Sequence, residues 1–305
     1  MNTRREFLNA LTVTAASAAL PNLTFVNGFN GTLCLFSKHL PQLNWQQLGQ
    51  TVKNLGFGGV DVTVRPQGHV LPERAAEDLP KAVAAIREAG LTVPMITTGL
   101  LSAGEPTAKP ILQTAGKLRI PYCKPGYYKY AFVNVRNELD KAMKDFTSLA
   151  ELSQECGVQL GFHNHESYIG APLWDVAPVI DSLQPKWVGY YFDIRHAVAE
   201  GGGAGWKIAL NLVAPRLKMI AIKDSYPEKT SKGWTQKDCP LGEGAVNWKA
   251  YFQTLKQANF HGPVSLHIEY DITGKTPSER DDNTLVAIQR DLAFLKARVQ
   301  EAYGA

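Results

Sequence analysis

The sequence predicts an α/β fold, a single (β/α)8 barrel, on three observations. A helix-period segment, a glycine and a short apolar strand recur along the chain. Eight such strand segments fall within about 250 to 300 residues, the length of an eight-unit parallel barrel. Four of them run into polar residues able to ligate or catalyse: His163-Asn164-His165-Glu166, Asp193, Lys223-Asp224 and Glu269. Parallel barrels gather such groups at strand carboxyl ends, around one pocket.

The elements follow in order. Leu33–Phe36 is the first strand. Asn44 caps a helix carrying Trp45, Leu48, Val52 and Leu55, Gly56 ends it, and Gly59–Val64 is the second strand. Leu79, Val83 and Ile86 form the next apolar stripe, ended by Gly90 before Thr92–Thr97, and Arg119–Cys123 is the fourth strand. Leu139, Met143, Phe146, Ala150 and Ser153 share a helix face, and Gly157 precedes Val158–His163. Trp187–Asp193 and Leu217–Lys223 are the sixth and seventh strands. A helix from Trp248 to Asn259 and a Gly262-Pro263 turn lead to Val264–Glu269. An open doubly wound sheet would want Gly-x-Gly-x-x-Gly after its first strand, and that motif is missing there. The run Gly201-Gly202-Gly203-Ala204-Gly205 reads as a flexible βα loop beside the pocket. No composition break divides residues 30–303, which are assigned to one barrel domain.

The amino terminus reads as an address rather than as part of the fold. Thr3-Arg4-Arg5-Glu6-Phe7-Leu8 resembles a twin-arginine export signal, followed by an apolar stretch from Ala10 to Leu20 containing Ala16-Ser17-Ala18. Residues 1–19 are therefore expected to direct export to the periplasm. Cleavage after Ala18 would remove Arg4, Arg5 and Glu6 and change the formal charge from +4 to +3. The stretch is too short for a permanent span and carries no cysteine for a lipid, so no stable membrane anchor is expected. Export of a folded chain would let a cofactor be loaded in the cytoplasm. The mild charge and the absence of a basic run give no reason to expect nucleic acid. Cys34, Cys123, Cys156 and Cys239 form no Cys-x-x-Cys pair; Cys34, in an apolar run, reads as a buried thiol.

A carboxylate ending an apolar strand, as Glu269 does, is costly unless it has a cation or a task. Asp193 after Val188-Gly189-Tyr190-Tyr191-Phe192 raises the same question, with a helix cap for Ile194 onward as the alternative. One histidine of the His163/His165 pair is expected to enter the barrel, as a metal ligand or a base. His196, three residues after Asp193, could reach a substrate oxygen. Lys223 is a base, an electrophile or half of an ion pair. Glu243, in Leu241-Gly242-Glu243-Gly244, faces either the pocket or solvent. Trp206 and Trp234 fall in expected βα loops, where an indole can stack on a sugar ring.

These residues in this order resemble the sugar phosphate isomerase/epimerase family with a xylose isomerase-like barrel. The marks are His163-Asn164-His165, Asp193-Ile194-Arg195-His196, Ile222-Lys223-Asp224, Gly242-Glu243-Gly244 and Ser265-Leu266-His267-Ile268-Glu269. The resemblance covers nearly the whole chain after Leu33. It implies one divalent ion (Mn, Mg or Zn) on strand-end ligands and proton transfer through a cis-enediol. It assigns metal ligation to His163, His165, Asp193 and Glu269, catalysis to Glu269, His163 and Lys223, and substrate contact to His196, Lys223, Glu243 and Trp206. Two positions depart from the pattern: His163 stands where many members have a glutamate, and Ala221 stands where His-x-Lys-Asp has its histidine. The expected function is that of an exported isomerase or epimerase acting on a free sugar or keto-sugar, with a small carbohydrate as its partner. A keto-sugar lyase or dehydratase, a non-catalytic carbohydrate-binding barrel and a barrel endonuclease are the rivals. A homo-oligomer is left open.

Overall fold

Eight parallel strands close into a barrel in the computed structural model, which describes residues 28–304. They are β1 Leu33–Phe36, β2 Gly59–Val64, β3 Thr92–Thr98, β4 Tyr122–Lys124, β5 Gln159–His163, β6 Val188–Asp193, β7 Leu217–Ile222 and β10 Val264–Leu266. Each pairs with the next, and β10 closes on β1 with Cys34 opposite Ser265. An antiparallel hairpin, β8 Asp224–Thr230 and β9 Gly233–Cys239, is inserted after β7. Eight α-helices are described: α1 Trp45–Leu55, α2 Ala75–Glu88, α3 Ala108–Lys117, α4 Val135–Glu155, α5 Ala177–Ser182, α6 Ile194–Val213, α7 Trp248–Gln257 and α8 Pro277–Tyr303. The expected export segment, residues 1–19, lies outside the described residues.

Local chemistry sets the helix ends. Asn44 and Gln47 form a reciprocal capping box at the start of α1, and Gly56 ends it at φ 90°, a left-handed value that suits a residue without Cβ. The two-residue period of the strands sorts side chains into two layers. Leu35, Val60, Val62, Ile96, Phe162, Phe192, Ile220 and Leu266 point outward and form one core with the helices. Met95, Tyr191, Met219 and Ala221 point inward and plug the barrel, with Tyr122 against them. A Cβ on Gly161 would lie 2.3 Å from Met219 Cε, so the methionine of the plug would have to shift to admit one. One inward step further along the same strands stand Thr97, Lys124, His163, Asp193, Lys223 and His267, all buried. The plug is thus the floor of the site, and the strand period delivers the polar layer above it.

Four expectations are corrected. The fourth strand begins at Tyr122 rather than Arg119, because Arg119 takes φ 56° and Pro121 has no N–H. The last strand stops at Leu266, well short of Glu269. His267 still donates its N–H to Ile222, but the Ile268 N–H turns to His39 Nε2, so the chain leaves the ladder there. The glycine run is part of α6, broken only at Gly202 (φ 57°, ψ −150°). Trp206 consequently sits on a helix, 3% exposed, with its ring edge-on to Tyr251.

Candidate functional site

Asp193 ends β6 with its side chain fully buried and both oxygens engaged. Oδ1 accepts the His196 N–H at 3.2 Å and caps α6. Oδ2 meets His163 Nε2 at 3.2 Å and Lys223 Nζ at 3.1 Å, with His196 Nε2 3.7 Å away. The cap and the functional reading hold together, one oxygen each. Asn164 fixes the backbone at this point: its Oδ1 accepts the Asp193 N–H and its Nδ2 donates to the Asp193 carbonyl. Burial opposes ionisation of Asp193, yet Lys223, His196 and His163 hold its carboxyl well below the usual range.

His163 is clamped between Asp193 and the Tyr127 hydroxyl, 3.3 Å from Nδ1. His196 lies beside two cations, with Lys223 Nζ 2.8 Å from Nε2 and Arg195 Nη1 3.1 Å from Nδ1, of which a neutral ring accepts from one. Burial pushes both imidazoles well below their usual range, so they are neutral. The expectation of one inward histidine is also corrected. Residues two apart share a strand face, and His165, just past β5, lies with its ring centroid 3.7 Å from that of His196.

A second group lies across the mouth. Glu269 pairs with Lys38 Nζ at 2.7 Å through Oε2 and faces His267 Nδ1 at 3.6 Å through Oε1. His267 is buried, stacked on Phe36 with centroids 4.4 Å apart. Its Nε2 meets the Tyr191 hydroxyl and Ser265 Oγ, each at 3.2 Å, and Ser265 Oγ donates to Asp61 Oδ2 at 2.8 Å. A buried line therefore runs from Asp61 through Ser265 to His267, whose Nδ1 faces Glu269 across 3.6 Å without a hydrogen bond. Burial opposes ionisation of Glu269, but His267, Lys223 and Lys38 hold it well below the ordinary carboxylate range. Burial lowers His39 to about 3. Tyr191 joins the two groups: its ring lies 4.6 Å from that of His163 and its hydroxyl reaches His267.

Among the described residues, two sets of side chains are close enough to hold a metal ion, His163/Asp193/His196 and His39/His267/Glu269. The expected four-ligand set is not assembled, because Asp193 and Glu269 fall in different sets. Neither set is free as it stands. Lys223 sits on Asp193 and His196, and Ala221, in the floor, offers no donor. In the other set Lys38 holds one Glu269 oxygen and the Ile268 N–H occupies His39 Nε2. The arrangement does not fit a divalent ion at the expected position.

Other expected residues are displaced. Glu243 is 60% exposed and lies 3.9 Å from Arg290 of α8, away from the inward layer. The backbone of its loop is used instead: Asp224 accepts the N–H groups of Gly242, Gly244 and Val246 and the Trp248 indole N–H. Trp206 packs in the outer layer and offers no ring to a sugar. Trp234 stands on the inserted hairpin, 72% exposed. That hairpin is tied down by Arg195, which bonds Asp238 at 2.7 Å and also Glu166.

Lys124, His39, Lys38, His267 and Asp61 were not among the expected site residues. Lys124 is the clearest: only 2% exposed, it places Nζ 3.4 Å from the centre of the Tyr127 ring. Burial and the nearby Arg65 push its pKa well below the usual range. The two-residue period from Tyr122 would have found it.

An uncharacterized protein of Methanocaldococcus jannaschii is 22% identical over 146 residues, and the chain spans about half of that relative, 48% of its length. The L-ribulose-5-phosphate 3-epimerase UlaE of Escherichia coli is 22% identical over 287 residues, covering 88% of this chain and 95% of that one. The structure of D-psicose 3-epimerase with D-tagatose from Clostridium cellulolyticum superposes with a TM-score of 0.67 at 13% identity, covering 88% and 99% of the two chains. The xylose isomerase-like TIM barrel model matches residues 50–298, and the chain belongs to that family.

Proposed function

We propose that the protein is a sugar isomerase or epimerase that acts on a free sugar or keto-sugar by removing a proton from the carbon beside a carbonyl. The observation that carries this reading is the pairing of Glu269, backed by His267, with the His163/Asp193/His196/Lys223 group on the other side of Tyr191. Enediol chemistry needs a base near one face of the carbon, a donor near the other, and a cation or N–H group at the oxygen. Its relatives include the sugar 3-epimerases named above, which supports the choice of substrate class.

Each residue has a task in this scheme. Glu269 is ionised and 21% exposed, so it can meet substrate and take the proton. Lys38 holds it at 2.7 Å, and His267, held in turn by Ser265 and Asp61, lies beside it. The C–H electron pair moves to form the enediolate, whose oxygen carries the charge. The Tyr127–His163 pair, or His165 beside it, returns a proton on the other face. Export by the Arg4-Arg5 signal is part of the proposal, and it favours a free sugar over a sugar phosphate.

Incubation of the protein with a panel of free ketoses in deuterated water tests the reaction class. Deuterium should enter the carbon beside the carbonyl, and Glu269→Gln should lower that rate by about 10²–10⁴-fold with the fold intact. Near-normal exchange in the variant would remove Glu269 from the mechanism. A product lacking the elements of water would favour the dehydratase reading.

A further inference from the structure

We infer that Lys223 stands in place of a divalent ion, its ammonium polarising the substrate carbonyl and holding the enediolate. The inference rests on the proton-transfer reading of this site and names its electrophile.

Position comes first. Ala221 and Lys223 both point into the barrel from β7 and its end, and Ala221 belongs to the floor. Asp193 is opposite Ala221 in the β6–β7 register. A ligand at 221 would rise beside the Asp193 carboxylate; here the space is crossed by the longer Lys223 side chain. Its Nζ reaches Asp193 Oδ2 at 3.1 Å and His196 Nε2 at 2.8 Å. That oxygen is also the one facing His163 Nε2 at 3.2 Å. The ammonium therefore lies among the atoms that an ion in this set would use.

Charge agrees with position. One ammonium balances the one carboxylate of the set, and the histidines are neutral. A divalent ion added beside Lys223 would put like charges in contact inside a buried site. An ammonium has three N–H donors. With His196 in the tautomer that accepts at Nε2, Asp193 and His196 take two, which leaves one for a substrate oxygen. In the step itself the C–H bond breaks, its proton passes to Glu269, and its electron pair forms the C–C double bond. The carbonyl oxygen becomes the anion that the Lys223 N–H group stabilises. Return of a proton to the opposite face completes the epimerisation, with no oxidant or reductant required.

Direct metal binding tests this apart from turnover. Chelator-treated protein is mixed with ZnCl2, gel-filtered and analysed for zinc. Wild type should retain less than about 0.1 ion per chain, whereas Lys223→Ala, which uncovers His163, Asp193 and His196, should retain about one. Adding Asp193→Asn to Lys223→Ala should abolish the gain. Lys223→Ser, which also clears the space, serves as the second variant should the alanine fail to fold. One tightly held zinc in wild type, lost in Asp193→Asn, would overturn the inference, as would folded Lys223 variants that stay empty. With an active sugar in hand, deuterium exchange by wild type should survive EDTA and fall at least about 10²-fold in Lys223→Met. Absence of any sugar turnover would refute the proposed function while leaving the zinc result to decide which group occupies this position.

Discussion

Asp61 gives the sharpest test of the buried line behind Glu269. It stands inside the barrel on β2, 0% exposed, accepting Thr97 Oγ1 and Ser265 Oγ at 2.8 Å each. Burial raises its pKa from 3.8 to about 6, against the pull of those two bonds and of Lys124 and Arg65. The folded state therefore holds this proton to higher pH than the unfolded state does. Stability from this group is full below about pH 4, falls as the pH rises toward 6, and stays reduced above it. At about 1.4 kcal/mol per pH unit, the gap corresponds to about 3 kcal/mol of destabilisation at pH 7.5.

Asp61→Asn removes the ionisation. The amide nitrogen cannot accept a hydrogen bond, so one of the two hydroxyls must turn, at a cost of about 1 kcal/mol. The variant should therefore be about 2 kcal/mol more stable than wild type at pH 7.5, and equal or slightly less stable at pH 4. Urea unfolding at both pH values measures this, comparing midpoints at unchanged slope. A difference independent of pH, or a variant less stable at pH 7.5, would refute the assignment of a strained carboxylate. Deuterium exchange should fall in the same variant, because Ser265 loses the acceptor that sets its hydroxyl toward His267. Gain of stability with loss of activity is the mark of a residue kept for the site.

Two further outcomes are expected. Replacing Arg4 and Arg5 by lysine should leave unprocessed precursor in the cytoplasm, visible by fractionation and immunoblotting; normal export would remove the twin-arginine assignment. Gly244→Ala would bring a Cβ within 2.1 Å of Asp224 Oδ1 and 2.6 Å of the Ser225 carbonyl. It should destabilise the fold by about 1–3 kcal/mol in urea unfolding, and a neutral effect would mean that the Asp224 anchor is loose.

The barrel was legible because each unit is locally consistent: a capped amphipathic helix, a glycine stop and a short strand. Asn44, Gly56 and the Gly59–Val64 strand all behave as their sequence demands. What the sequence hid is where a strand releases the chain. No residue preference marks Ile268 as the point where a backbone N–H goes to a histidine 229 residues earlier. Glu269 is consequently expected on a strand and in one ligand set with Asp193, whereas it lies beyond the strand with His267 and with His39, which went unseen. Lys124 was missed for the opposite reason, since the strand was ended one residue early at Cys123. The hairpin of β8 and β9 carries charged and polar residues without a buried face of its own, so periodicity gave no signal for it. The glycine run looked like a loop by composition, yet the tertiary packing of Trp206 and Leu210 holds it in a broken helix.

The donors around the mouth suit an anionic intermediate. Lys38, Lys124 and Lys223 converge there with His39, His163, His165, His196 and His267. Burial leads the downward shifts of all five imidazoles, so they contribute donors and acceptors more than charge near neutral pH. Lys38 and Lys223 face two strongly ionised carboxylates, Asp193 and Glu269, while Asp61 below them titrates near 6 and burial pushes Lys124 toward its neutral form. The formal charges nearly cancel, so what a neutral sugar meets is a set of fixed N–H donors, and an enediolate oxygen gains from those that face it. Fixed N–H donors and cations that are better matched to the charged intermediate than to the neutral substrate lower the barrier to forming it. The strand period supplies that match without a loop closing over the site, because Lys124, His163, Asp193, Lys223 and His267 are set in one layer by the same plug of Met95, Tyr191, Met219 and Ala221.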